Sequence, residues 1–129
     1  MTDRSSLQTF AFAALRFVAG AMFSFHGAQK LFGVLGMHKV EMWSQVWFGG
    51  VIELVCGILV AIGLFTRPAA LLASGTMAVA YFQFNWKLDL DNYRWLPIVN
   101  HGELAVLYCF VFFCFAMAGA GAYALDRKR

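Results

Sequence analysis

The sequence predicts an all-α integral membrane protein, a bundle of four transmembrane helices with little protein outside the bilayer. Of its 129 residues, 61% are hydrophobic and only 13% are charged, whereas an ordinary soluble domain is about 25% charged. A span needs about 20 mostly apolar residues to cross a hydrocarbon core of roughly 30 Å. Four stretches meet that requirement, residues 10–32, 46–65, 68–86 and 101–119, so the chain 1–129 is predicted to form one membrane domain.

Four spans place both termini on one side of the membrane, and the basic residues favour the cytoplasm for that side. The side of the termini collects Arg4, Arg67, Arg127, Lys128 and Arg129, and the opposite side collects Lys30, Lys39, Lys87 and Arg94. Cytoplasmic segments carry an excess of lysine and arginine, and tryptophans gather at the membrane interfaces. All four tryptophans, Trp43, Trp47, Trp86 and Trp95, fall in or beside the opposite loops. We therefore predict cytoplasmic N- and C-termini.

Several function classes find no support in the composition. The net charge of +3 comes with no basic run longer than residues 127–129, so no nucleic-acid site is expected. Cys56, Cys109 and Cys114 lie in apolar segments and form no C-x-x-C pair, which predicts packing residues rather than a dithiol. A glycine-rich phosphate loop and a haem C-x-x-C-H motif are missing, so no covalent cofactor is expected.

The first predicted span carries charge on one helical stripe. Arg16, Gly20, Phe23, Gly27 and Lys30 recur at alternating spacings of four and three residues, which places them on one face of a helix. His26 lies beside this stripe, one turn before Lys30. A charged side chain inside a span costs about 2.5–3.5 kcal/mol on insertion scales, so each one requires a partner, a cavity or a route to the headgroups.

The second predicted span carries a single carboxylate among small residues. Gly49, Glu53, Gly57 and Ala61 recur every four residues, and such stripes let membrane helices approach closely. Glu53 is therefore predicted to face the bundle, and Gly57 to be structural. Counting residues along the predicted spans places Glu53 near the membrane midplane or slightly outside it. The same count places Arg16 in the inner half of the membrane, where it reaches the headgroups or pairs with Glu53.

The remaining polar residues of the spans are predicted to lie near the outer membrane interface. Their common depth predicts a shared site. His26 and Lys30 end the first span, and His101 and Glu103 begin the fourth. Together with Glu53 they offer ligands of the types that zinc and iron prefer, but no fixed spacing supports a metal site, and none is predicted. Ligand binding or proton handling by Glu53, His26, Glu103, Arg16, Lys30 and His101 is the functional hypothesis.

Structural alternatives stand beside each of these roles. Asn100 fits an N-cap, with Glu103 at the position that reaches back in a capping box. His26 would then donate only to a backbone carbonyl, and Lys30 would only reach the headgroups. Glu53 would be a carboxylate that is protonated or paired purely for packing.

Five short motifs in this order resemble the DoxX family of small four-helix membrane proteins. They are Arg16 with residues 25–31 (FHGAQKL), residues 50–57 (GVIELVCG), residues 63–70 (GLFTRPAA), residues 100–103 (NHGE) and residues 119–126, from the terminal glycines to Asp126. The resemblance covers nearly the whole chain. It implies structural roles for Arg67 in the short inner turn and for Asp126 near the C-terminus, and a multi-pass location in a bacterial cytoplasmic (inner) membrane.

The resemblance also implies a redox setting. The family includes DoxD-like subunits of archaeal thiosulfate:quinone oxidoreductase and proteins that hold oxidative-stress or sulfur-transfer enzymes at the membrane. It implies that this chain is a subunit of a quinone-linked or thiol-detoxifying complex, with a quinone as ligand and other membrane redox proteins as partners. Two further hypotheses stay open. One is a non-catalytic anchor in the lipid bilayer, and the other is a small transporter, which would require a homo-oligomer because four helices leave little room for a pathway.

Overall fold

The structure, a computed structural model, describes residues 2–126 and the side chains of residues 5–126. The described part is helical and contains no strand. Its α-helices are α1 (Thr2–Phe32), α2 (Gln45–Ile62), α3 (Thr66–Ala80), α4 (Pro97–Asn100) and α5 (Glu103–Ala118). The terminal basic run 127–129 and the side chain of Arg4, which contributed to the predicted orientation, lie outside the described part.

Helix α1 is longer than the predicted span 10–32. It begins at Thr2, because the first turns contain no glycine or proline that would break a helix. Its 31 residues correspond to about 46 Å at the usual rise, more than a hydrocarbon core of roughly 30 Å. Phe12 still contacts Phe115, with ring centroids 5.3 Å apart, but residues 5–11 are exposed. Residues 5–11 therefore bury little of their surface against the other helices.

Helix α3 changes geometry within the predicted span 68–86. Its α-helical part stops at Ala80, and the chain continues as a π-helix over Tyr81–Trp86. Lys87 ends this segment in the left-handed region, at φ 58°. Residues 66–86 are thus continuously helical. Short π-helical turns of this kind often occur beside functional sites.

Helices α1 and α2 pack backbone against backbone. A Cβ atom added at Gly27 would lie 2.4 Å from the Leu54 nitrogen, and one added at Gly57 would lie 2.6 Å from the Ser24 nitrogen. No side chain larger than hydrogen fits at such a contact. Gly49 was predicted to share this stripe, but a Cβ there meets nothing within 4 Å, and Gly50 takes its place at the contact.

The other long helices complete one core. Helix α3 packs on α5, and α2 packs on α3; the buried residues of α3 are mostly small, whereas those of α5 are mostly aromatic. Phe23, Val60, Phe112 and Phe115 are almost fully buried at the centre. By length and composition, α1 and α2 can each cross a membrane, and α5 is a shorter apolar helix. Large apolar side chains cover the outer surface of the helices, which is the distribution expected of helices that face lipid.

Candidate functional site

The ion pair between Lys30 and Glu53 is the centre of the candidate site. Lys30 Nζ donates to both carboxylate oxygens of Glu53, at 2.5 and 2.7 Å. Glu53 is 3% exposed, and the Lys30 side chain is 22% exposed. The glycine contacts hold α1 and α2 at the separation that this pair requires. The two stripes predicted from the sequence therefore meet here.

A cavity of about 220 Å³ opens beside the ion pair. Its walls come from α1, α2, α3, the π-helix and α5. The lining residues are Phe23, His26, Lys30, Glu53, Met77, Asn85, His101, Leu104, Ala105 and Tyr108. The cavity lies at the end of the helices that is opposite the described termini, and it combines an apolar wall with several polar groups, as small-molecule sites commonly do.

Tyr108 is a site residue that the sequence analysis missed. It is 6% exposed, and among the described residues its buried hydroxyl has no hydrogen-bond partner. A buried hydroxyl without a partner costs free energy. A signal for Tyr108 was present, because His101, Leu104, Ala105 and Tyr108 follow the i, i+3, i+4, i+7 pattern of one helix face. All four line the cavity.

The two predicted histidines and one further amide surround the same cavity. The imidazole of His26 meets the Tyr108 ring edge-on, with centroids 6.1 Å apart. His101 is exposed and adopts φ 60° at the end of α4, which places it at the mouth. Asn85 reaches the cavity from the π-helix. The π-helical turn thus contributes a polar group to the site.

Glu103 does not belong to this cavity. It is exposed and is the first residue of α5, with Gly102 as the N-cap. The predicted capping box of Asn100 and Glu103 is therefore wrong. Pro97 starts the separate short helix α4, so Asn100 ends that helix instead of capping α5. The Asn100 side chain accepts a hydrogen bond from the Gly102 amide at 2.9 Å and donates to the Tyr81 hydroxyl at 3.0 Å.

Arg16 lies at the opposite end of the core and is 2% exposed. Its guanidinium donates to the backbone carbonyls of Ala120, Ala122 and Tyr123. The alternatives of snorkelling and of pairing with Glu53 were both wrong. Arg16 precedes Lys30 by 14 residues, about 21 Å along a helix, so the carboxylate held by Lys30 is out of its reach. Arg16 instead anchors the C-terminal segment.

Asp126 and Arg67 fix the same end of the molecule. The Asp126 carboxylate accepts from the amides of Phe65 and Thr66, at 2.7 and 3.0 Å, at the start of α3. Desolvation raises the pKa of Asp126, but hydrogen bonds from Thr66 and Phe65 and the charge of Arg16 outweigh it and lower the pKa below its usual value. The Arg67 guanidinium donates to the carbonyls of Ala116 and Met117.

The arrangement separates two tasks. Arg16, Arg67 and Asp126 hydrogen-bond to backbone groups at helix ends and in the C-terminal segment, so their role is structural. Lys30, Glu53, His26 and Tyr108 surround a cavity where a ligand can accept or donate hydrogen bonds, and where carboxylate and imidazole groups can carry protons. Among the described side chains, those of residues 5–126, no group of three or more histidine, cysteine, aspartate or glutamate residues could hold a metal ion.

The comparisons with known proteins identify the family. A protein of Haemophilus influenzae described as an uncharacterized protein is 39% identical over 132 residues, covering 99% of this chain and 97% of the relative. No solved structure matches the chain. The model of the DoxX family matches residues 11–86, which include Arg16, His26, Lys30 and Glu53. The chain is a membrane protein that belongs to the DoxX family.

Proposed function

We propose that the protein is the membrane subunit of a quinone-linked redox complex and that the cavity beside Lys30 and Glu53 receives the quinone headgroup. One observation carries this proposal. The cavity is lined both by an ion pair whose carboxylate is buried and by Tyr108, whose buried hydroxyl has no hydrogen-bond partner among the described residues. Buried polar groups around a small cavity are retained at a cost in free energy, so they favour a ligand site over packing alone.

The size and chemistry of the cavity suit a single ring. Its volume of about 220 Å³ is below the roughly 300–1,000 Å³ of sites for drug-sized ligands. A quinone ring needs apolar contact on its faces, and Phe23, Met77 and Leu104 supply such walls. Its carbonyl oxygens need donors, and its reduction requires protons. Tyr108, His26 and the Lys30–Glu53 pair are the groups within the cavity that can meet those needs.

The proposal includes a membrane arrangement. Helices α1, α2, the combined helix 66–86 and α5 form a four-helix bundle across a bacterial inner membrane, with both termini in the cytoplasm. The cavity then opens near the outer leaflet. The exposed outer side chains of Trp43, Leu90 and Trp95 suit an interfacial position. A redox enzyme bound at the membrane exchanges electrons with the quinone, as the family resemblance implies.

The test is purification from the native membrane in a gentle detergent, followed by mass spectrometry of the bound proteins. We expect a redox enzyme at fixed stoichiometry, with quinone-dependent turnover in the complex and none in the isolated subunit. Recovery of a partner without quinone-dependent turnover would favour a non-catalytic anchor. Recovery of the bare protein, with an ion flux after reconstitution, would contradict the proposal and favour a transporter.

Topology can be tested separately. Of two reporters fused after Arg129, we expect the one that is active only in the cytoplasm to be active, and the one that requires the periplasm to be inactive. Activity of a periplasm-dependent reporter at that position would reverse the proposed orientation and move the cavity to the inner leaflet.

A further inference from the structure

We infer that Tyr108 is the hydrogen-bond donor for an uncharged carbonyl ligand in the cavity and that the cavity excludes oxyanions. The inference rests on the proposed function, because it concerns the same cavity. It adds a residue that binds the ligand and the net charge that the ligand must have. It also implies that any anionic sulfur substrate of the complex binds outside this cavity.

The hydroxyl of Tyr108 is the group with an unmet need. A phenol both donates and accepts a hydrogen bond, and this one does neither with any described residue. Tyr108 cannot swing out to solvent without leaving the aromatic cluster, since its ring stacks on Phe112 with centroids 5.6 Å apart and lies 5.4 Å from the ring of Phe23. Tyr108 lines the cavity, so an oxygen of a ligand bound there is the group that can satisfy the hydroxyl once the neighbouring side chains make room for it.

The ion pair sets the charge that the cavity accepts. Lys30 offers three N–H donors, and two of them already serve the carboxylate oxygens of Glu53. The positive charge is therefore neutralised inside the protein, by a carboxylate that is itself only 3% exposed. Bringing an oxyanion to this place would bury a second negative charge with no cation left to balance it, which is strongly unfavourable.

The walls select the shape of the ligand. Phe23 is 1% exposed and Met77 is 7% exposed, so they give the inner part of the cavity apolar walls. A ring with carbonyl oxygens at its edge meets apolar atoms on its faces and donors at its rim. A compact sulfur oxyanion such as thiosulfate would lose its hydration shell against these walls.

The experiment measures binding of two small probes to the purified full-length protein by isothermal titration calorimetry. Duroquinone is a single-ring quinone without an isoprenoid tail, and thiosulfate is a divalent oxyanion. The titrations are run at pH 8, where an imidazole is ordinarily neutral. We expect duroquinone to bind and thiosulfate to bind at least ten times more weakly. Tyr108→Phe should weaken duroquinone binding roughly 3- to 10-fold, as the loss of one hydrogen bond predicts.

Two further variants make the result specific. Tyr123→Phe removes the hydroxyl of a tyrosine that is 74% exposed at the other end of the molecule, and it should bind duroquinone like the wild type. Ala105→Leu fills the cavity without removing a polar group, and it should abolish binding even if Tyr108→Phe proves unstable. Tighter binding of thiosulfate than of duroquinone, or equal duroquinone affinity in the folded Tyr108→Phe variant, would overturn the inference.

The outcome also separates this inference from the proposed function. If the native complex shows quinone-dependent turnover but the purified subunit binds no duroquinone, the inference and the assignment of the quinone to this cavity fail, and the proposed redox complex stands. If duroquinone binds through Tyr108 but no redox partner is recovered, the proposed complex fails while the ligand site stands.

Discussion

Replacing Gly27 with alanine adds one methyl group where α1 and α2 touch through their backbones. The new Cβ would lie 2.4 Å from the Leu54 nitrogen and 2.6 Å from the Gly50 carbonyl oxygen. Optimal contacts between heavy atoms are about 3.5–4.0 Å, so the helices must separate by about 1 Å. The clash is with the backbone, and no side-chain rotation can relieve it.

The cost can be worked from these contacts. Overpacking of a well-packed site costs about 1–3 kcal/mol, and alanine returns about 0.5–1 kcal/mol through its higher helix propensity. The net loss is then roughly 0.5–2 kcal/mol. Separation also lengthens the bonds from Lys30 to Glu53, now 2.5 and 2.7 Å, to about 3.5 Å or more, beyond a good hydrogen bond.

The assay is thermal unfolding of the purified protein in one detergent, compared with Gly49→Ala. Gly49 lies on α2 next to the contact residue Gly50, but a Cβ at Gly49 meets nothing within 4 Å. Gly49→Ala should therefore gain the higher helix propensity of alanine without a clash, and should unfold at or above the wild-type temperature. Gly27→Ala should unfold at a lower temperature. A Gly27→Ala variant as stable as Gly49→Ala would refute the backbone contact between α1 and α2.

Three further predictions follow from the ion pair and the anchored C-terminal segment. Glu53→Gln should destabilise the protein by leaving Lys30 without its counterion, and the double variant Lys30→Met/Glu53→Gln should be more stable than the sum of the single losses in unfolding assays; additive losses would contradict the pairing. Arg16→Met should release the C-terminal segment, detected as faster cleavage near the C-terminus by a protease, because three carbonyls lose their donor; unchanged cleavage would contradict its anchoring role. Because the pKa of Asp126 is lowered on folding, its contribution to stability should be complete above about pH 4 and decline as the pH falls through the lowered pKa. Asp126→Asn should remove that part of the pH dependence, and an identical acid profile for the two proteins would count against it.

Helical periodicity made half of the candidate site predictable. It put Lys30 and Gly27 on one face of α1, and Glu53 and Gly57 on one face of α2, and these faces meet. The partner of Glu53 was not predicted, because Arg16 was the cation proposed to pair with it, whereas Lys30 was assigned to the shared outer site or to the headgroups. Which cation pairs with Glu53 depends on the depth of each side chain in the membrane. Helix α1 begins at Thr2, eight residues before the predicted span, so the hydropathy boundary does not determine that depth.

The other half depends on features that no periodic pattern carries. The partners of Arg16 are backbone carbonyls of the C-terminal segment, and every residue type supplies such a carbonyl. The switch from α- to π-geometry at Tyr81, which brings Asn85 to the cavity, has no comparable signal in the sequence. The fourth span was predicted to start at His101 with Asn100 as its N-cap, but Asn100 ends a separate short helix that begins at Pro97, and α5 begins at Glu103.

The most direct measurement of the ligand site is a count of quinone molecules that remain bound when the protein is purified from its native membrane. Lipids extracted from wild type and from Ala105→Leu would be compared by liquid chromatography and mass spectrometry, with the partner content of both samples recorded. We expect about one quinone per wild-type chain and loss of that quinone in Ala105→Leu at unchanged thermal stability. Equal quinone in the two samples, or none in either, would contradict a quinone site in the cavity beside Lys30 and Glu53.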